Sequence, residues 1–547
     1  MGGGVDASDV MNGLDSKKVV ITLEASFLDE VPERGTLPLH FQVRNLSNKP
    51  GRWTFKFSGT QGWSNGKQLS SERVVEVDAR TSKQVRWEIP VFPNSEFGNG
   101  DDVNLDVILS GPGTSGVQQR LLYGNSRYNV GATPVVAFSP ELRITRDYWN
   151  YSEMENQFDD RGSSIRLLGF DPSVFPMNVS GLSGVDILLM TPEEWEGFHL
   201  HHAMLKRWIA GGGQVWLVSN GAESNQFIGM GNLKSISYME PEKLLRMFNS
   251  SQTIARTFWH DEAYTRKKWQ LAQEIPEIKN SFGLIMLTVI LIAALLGPIN
   301  VWFSFRKKKS MQVIWTTPLI SLILSFLVAL GIVFSDGFGG KGARSLIVLL
   351  VPDEGVEVLV QEQISRTGVL LKDQFSLPEE AEIYMVHSGK SRRERGLQYR
   401  QLSGGYWSGD WFENRSIQAQ VIRRNRSSRA EVVFTPGITP KIRSSVNATF
   451  SRILVRDPQG GLWMGAQIAP GKEQSLRKVS TRESKEMFIE MATRKKSLVP
   501  DEKLLEKKGW FYAETAETDR YVDTLKSIRW ESRPVWYMGP VTGEVTP

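Results

Sequence analysis

FGLIMLTVILIAALLGPINVWFSF (Phe282–Phe305) and QVIWTTPLISLILSFLVALGIVF (Gln312–Phe334) are two apolar runs without a charged residue. Each exceeds the roughly 20 residues a helix needs to cross a hydrocarbon core of about 30 Å. They read as two transmembrane helices, 282–305 and 312–334, joined by a basic loop at 306–311. Arg306, Lys307, Lys308 and Lys309 in that loop place it on the cytoplasmic side, because positive loops beside membrane helices are retained there. Trp302 and Trp315 flank the loop at the spacing of an interfacial aromatic belt. Pro298 and Pro318 predict kinks, with Asn300, Thr316 and Thr317 at hand for the freed backbone groups. Neither run holds an ionisable side chain, which argues against a proton relay, an ion pathway or an intramembrane protease.

Working outward, the hairpin would leave about 280 residues before it and about 210 after it on one non-cytoplasmic face. The start, MGGGVDASDVMNGLDSKK, has no basic region followed by an apolar core. Export of the first segment would then need either a signal removed ahead of this start, the favoured expectation, or translocation of a very long N-terminal tail by the first membrane helix. A chain of 547 residues exceeds one hydrophobic core, so three or four units are expected. Its net charge of +5 is small for that length and gives no nucleic-acid footprint. There is no cysteine, which removes thiol nucleophiles, cysteine zinc sites and disulfides together. No Gly-x-x-x-x-Gly-Lys phosphate loop is present, and no cofactor is expected.

Residues 1–17 read as a flexible tail, and 18–131 as an immunoglobulin-like β-sandwich. The runs VVITLEA, LPLHFQVRN, GRWTFKFSG, ERVVEVDA, KQVRWEIPVF and VNLDVILSG alternate in polarity between turn residues. Asn45–Asn48 fits a turn between two of them. From 132 to 262 the pattern changes to apolar strands (Thr133–Ser139, Ser164–Phe170, Gly184–Met190, Gln214–Asn220) alternating with a helix, as in a parallel α/β sheet. Thr191 is placed to cap that helix, with Pro192 at its first position and Glu193 and Glu194 in its first turn. Leu205, Trp208 and Ile209 form its apolar stripe, and Gly211–Gly213 end it. A juxtamembrane connector at 263–281 leads to the hairpin, and a Gly-rich linker at 335–345 leaves it. A β-rich, sandwich-like domain at 346–480 and a helical and irregular segment at 481–547 complete the chain.

VDILLM, LKRWIAGGGQVWLVSNG and FIGMGNLKSISYMEP (Phe227–Pro241) resemble the strand–helix–Gly-Gly–strand pattern of class I glutamine amidotransferase-like domains in uncharacterised bacterial two-pass envelope proteins. GPINVWFSFRKKK and Arg452–Leu476 are similar to other parts of those proteins. The resemblance implies a multidomain α+β membrane protein: β-sandwich, α/β amidotransferase-like (flavodoxin-like) domain, two-helix hairpin and C-terminal β-sandwich-like domain. It further implies a bacterial inner-membrane location with both termini periplasmic. Amidotransferase chemistry needs a Cys nucleophile, so the domain would be catalytically inert. The expected role is a non-catalytic scaffold or recognition subunit, with membrane lipid and other envelope proteins as partners. Two alternatives stay open: a periplasmic hydrolase or glycan-binding enzyme, with a glycan as ligand, and an accessory subunit of an export machine.

Candidate chemistry elsewhere is weighed against plainer roles. Ser219 follows an apolar strand, but VWLVSNG lacks the first Gly of a hydrolase elbow, and His260 is the only later His before the hairpin. A cap or turn is the expected role of Ser219, and no catalytic residue is assigned. His199 and His202 have helical i, i+3 spacing, but no third ligand is placed with them, so no metal is expected. Glu153, Glu155, Asp159 and Asp160 read as a solvated loop rather than a glycosidase pair. Tyr406, Trp407, Trp411 and Phe412 lie within seven residues among glycines. They are the partner-binding candidates, with one pair expected to anchor the loop and the other to face outward.

Overall fold

The computed structural model describes residues 15–61, 68–91, 103–124, 135–144, 166–219, 221–237, 290–299, 313–388, 398–495 and 507–543 apart from isolated positions, plus single residues at 244, 247, 271, 302 and 306. The first unit comprises β1 (Asp15–Ser16), β2 (Val19–Ser26), β3 (Gly35–Asn45), β4 (Gly51–Gln61), β5 (Gln68–Val77), β6 (Ser82–Val91), β7 (Val103–Gly111) and β8 (Thr114–Gly124). One sheet runs β1-β2-β3-β6 and the other contains β5-β4-β7-β8, and the two share one apolar core. Alternation drives it. Leu37, Leu39, Phe41 and Val43 of β3 face Trp53, Phe55 and Phe57 of β4, all nearly solvent-free. Phe57 meets Trp87 edge-on at 4.5 Å between ring centres. Asn45 is buried at the expected turn, where its amide donates to the carbonyls of Lys49, Val77 and Asp78.

The second unit contains β9 (Val135–Phe138), α1 (Pro140–Ile144), β10 (Arg166–Gly169), β11 (Ile187–Met190), α2 (Pro192–Gly197), α3 (His202–Ala210), β12 (Gln214–Ser219), β13 (Ser224–Ile228) and β14 (Gly231–Ser237). Its sheet order is β10-β9-β11-β12-β14-β13, parallel except at the β13 edge. The cap at Thr191 is reciprocal: its hydroxyl accepts from Glu194 N, and the Glu194 carboxylate accepts from Thr191 N. The helix divides where one was expected, because a 3-10 turn at His199–His201 separates α2 from α3. Leu205, Trp208 and Ile209 are buried as the stripe predicted.

Residues 290–294 are helical, Leu295–Ile299 is a π-helical turn around Pro298, and α4 (Val313–Asp336) contains Pro318. Among the described residues, no helix is long and apolar enough to cross a membrane. The transmembrane hairpin, the α+β membrane class and the inner-membrane location with periplasmic termini are corrected on that finding. Strands make up 51% of the residues, which makes the fold predominantly β.

The third unit is built on β15 (Gly340–Val351), β16 (Val356–Thr367), β17 (Phe375–Ser376), β18 (Ala381–Ser388), β19 (Gln398–Leu402), β20 (Tyr406–Gly409) and β21 (Ile417–Ser427). It continues through β22 (Val432–Thr435), β23 (Lys441–Ser444), β24 (Phe450–Arg456), β25 (Leu462–Ile468), β26 (Glu473–Ser475), β27 (Arg477–Lys478), α5 (Thr481–Lys495), β28 (Trp510–Thr515), β29 (Ile528–Ser532) and β30 (Val535–Pro540). The large sheet runs β18-β21-β16-β15-β30-β28-β24-β25-β27. The supposed irregular end therefore supplies two central strands. Gly340–Ser345 of the Gly-rich linker likewise belong to β15. A Cβ on Gly342 would fall 2.4 Å from the Trp530 ring, so close packing rather than looseness explains that glycine. The candidate helix at 500–508 lies almost wholly outside the described residues.

The units share a seam. β19 pairs in parallel with β5, from Gln398 opposite Gln68 to Gln401 opposite Ser71, and extends the sandwich sheet to β17-β20-β19-β5-β4-β7-β8. Ser71 Oγ donates to Gln401 Oε1 at 2.7 Å across that join.

Candidate functional site

At the seam lies a cleft of about 500 Å³. His40 stands directly opposite Arg86 across β3 and β6, and Pro38 stands opposite Glu88. Opposed residues share a face, so these four project away from the core face taken by Leu39, Val85, Trp87 and Ile89. Glu72 and Arg73 of β5 form a second wall, Phe175, Pro176 and Asn178 a third, and Gln401, Leu402 and Gly405 close one end.

The third wall is fixed by backbone contact. Thr36 Oγ1 donates to Ser180 O at 2.5 Å and Ser183 Oγ donates to the same carbonyl at 2.6 Å. Gly35, at φ +80°, brings β3 so near that an added Cβ would sit 2.3 Å from Gly184 N. Ser180 Oγ donates to the Glu88 carboxylate. Gly181 leaves room for this approach, since a Cβ there would lie 2.3 Å from Pro176 Cβ and 3.1 Å from Glu88 Oε1.

Burial is the main reason the Glu88 carboxyl is pushed up to about 7; the bonds from Ser180 and Asn178 and the Arg73 charge oppose it, while Glu382 reinforces it. Arg73 donates from Nη1 to Arg86 O at 2.5 Å, and desolvation holds its guanidinium below the usual range. Behind Glu88, burial also raises Glu382, whose carboxylate accepts from Tyr384 Oη near the Arg423 charge. This cleft can hold a polar ligand between hydrogen-bonding side chains. Among the described residues, no cluster of three metal-ligating side chains occurs.

The residues singled out in the sequence lie elsewhere or beside it. Ser219 Oγ accepts from Gly221 N at 3.2 Å in a turn. His260 and the run Glu153, Glu155, Asp159 and Asp160 fall outside the described residues. His202 stacks on Trp195 at 4.2 Å and its Nε2 lies 2.8 Å from Trp195 O. His201 lies 5.1 Å from the Phe175 ring at the cleft wall. Of the basic loop only Arg306 is described, 5.2 Å from the exposed Trp302 ring; Lys307, Lys308 and Lys309 are outside, and Trp315 is exposed.

Trp407, Trp411 and Phe412 are buried together, which corrects the expected outward pair and leaves only Tyr406 half exposed. Buried glutamines cause the fold-back: Gln420 Nε2 donates to Trp411 O at 2.6 Å and Gln418 Nε2 to Asp410 O at 3.0 Å. His40, Glu72, Arg86 and Glu88 escaped sequence reasoning because each sits at a polar position of an alternating strand, as any solvated residue would, while Arg73 takes an inward position of β5 opposite Phe55.

No known protein family and no curated protein matches this chain. Among solved structures it is similar to a Paenibacillus sp. cycloisomaltooligosaccharide glucanotransferase, at 10% identity over 30% of this chain and 20% of that one, with a TM-score of 0.14. A yeast delta-COP-I mu-homology domain matches at 8% identity over 38% of this chain and 98% of its own, with a TM-score of 0.20. An Amycolatopsis orientalis exo-chitosanase matches at 10% identity over 93% and 79%, with a TM-score of 0.17. The chain thus spans one fifth of the glucanotransferase, and likenesses this slight carry no argument about what it does.

Proposed function

We propose that this chain recognises a glycan in the seam cleft without cleaving it. The observation that carries the reading is the cleft itself: about 500 Å³, with His40, Arg73, Arg86, Glu88 and Gln401 as donors and acceptors. That volume falls in the range of small-molecule sites, and a ring carrying many hydroxyls needs convergent polar groups of this kind. The reading takes up the glycan-binding alternative in place of the protein-binding scaffold. Titration calorimetry of the purified chain against a panel of oligosaccharides tests it. Glu88→Gln and His40→Ala should each weaken binding roughly 10-fold or more, the usual effect of losing a hydrogen bond to a charged or buried group. Absence of saccharide binding across the panel would end the reading.

A second reading, a glycoside hydrolase, is favoured by one observation: Glu88, pushed up to about 7, could give a proton to a leaving oxygen. Release of reducing ends that is lost in Glu88→Gln would select it over recognition alone.

A further inference from the structure

We propose that the saccharide taken by this cleft is anionic, its carboxylate or sulfate ester seated on the Arg86 guanidinium with Arg73 beside it. The inference rests on the glycan reading and adds the substrate class. Four formal charges line the cleft: Glu72, Arg73, Arg86 and Glu88. Three are offset within the protein. Lys56 stands directly opposite Glu72 on β4. Arg73 is in the field of Glu88 and spends Nη1 on a carbonyl.

Arg86 differs. Its backbone carbonyl accepts from Arg73, but among the described residues its guanidinium has no hydrogen bond and no ion pair. Its cross-strand neighbour is His40, which offers no standing negative charge. The unbalanced charge is felt across the cleft wall. His201 is held below the usual imidazole range, first by burial and then by Arg86. Glu88, pushed up to about 7, supplies only a partial negative charge near neutrality. A planar guanidinium presents a fork that fits a carboxylate or sulfate with two parallel hydrogen bonds.

The experiment is calorimetric titration of the full chain at pH 7.5 with three oligosaccharides of equal length: neutral, uronate-containing and sulfated. The expected result is at least tenfold tighter binding of one acidic ligand than of the neutral one, with the stronger arm identifying the anion. Arg86→Gln should erase that preference, weakening acidic binding at least tenfold more than neutral binding, and Arg86→Lys should retain part of it. Because the Arg86 side chain is exposed, its substitution leaves the sandwich core intact. Equal binding of neutral and acidic ligands, or a preference that survives Arg86→Gln, overturns the inference and leaves the glycan reading standing. Failure of all three to bind removes both.

Discussion

Replacing Glu88 by Gln should make the protein less sensitive to alkaline pH, and the direction follows from proton linkage. The Glu88 carboxyl moves from 4.5 to about 7 on folding, chiefly through burial. Between those values the folded chain holds more protons than the unfolded one, so stability falls as pH rises. Below the lower value both states are protonated and the contribution is fully present; it is lost as pH climbs through the folded value. A rise of that size corresponds to about 3 kcal/mol, and partial exposure of the carboxyl brings the expectation to about 2 kcal/mol. Gln keeps an acceptor for Ser180 Oγ and never ionises. The variant should therefore match the parent near pH 4.5 and exceed it by about 2 kcal/mol at pH 8. Urea unfolding of both proteins at several pH values measures this. A chain of several units need not unfold in one step, so the comparison is made within the same transition. Glu382 titrates in both proteins and largely cancels. A difference that stays constant with pH, or that shrinks toward pH 8, would refute the argument.

Gly181→Ala should push Pro176 and Glu88 apart, because its methyl would sit 2.3 Å from Pro176 Cβ. We expect roughly 1–3 kcal/mol of destabilisation, read as a lower melting temperature together with weakened ligand binding. Gln361→Ala should cost roughly 2–5 kcal/mol, since it strips partners from two buried backbone groups. Its amide donates to Val522 O at 2.9 Å and its carbonyl accepts from Val522 N at 2.7 Å. Denaturant titration measures the loss, and a change below about 0.5 kcal/mol would show that water replaces the glutamine.

Local order was legible in the sequence wherever one short-range cause dominated. The alternation of Leu37, Leu39, Phe41 and Val43 makes a sandwich strand because period two is the geometry of a strand. Thr191 with Glu194 announces a helix start because the orphan amides of a first turn need nearby oxygens. The turn at Asn45 and the apolar strands β9, β11 and β12 follow from equally local rules. Apolar content alone could not decide the runs at 282–334, where no helix among the described residues is long and apolar enough to cross a membrane.

Long-range pairing was decided only in three dimensions. WFYAET and VWYMGP become central strands because β15 and β24 leave edges for them, some 50 to 190 residues away in sequence. The aromatics at 407–412 turn inward because Gln418 and Gln420, on a strand buried on both faces, need their backbone carbonyls as acceptors. The cleft is the clearest case. His40, Arg86 and Glu88 are unremarkable polar positions until 174–183 docks on their face and β19 closes β5. Residue type and spacing fix which side of a strand a group occupies. What lies opposite, and hence whether its charge is solvated or desolvated, depends on contacts between segments more than 300 residues apart.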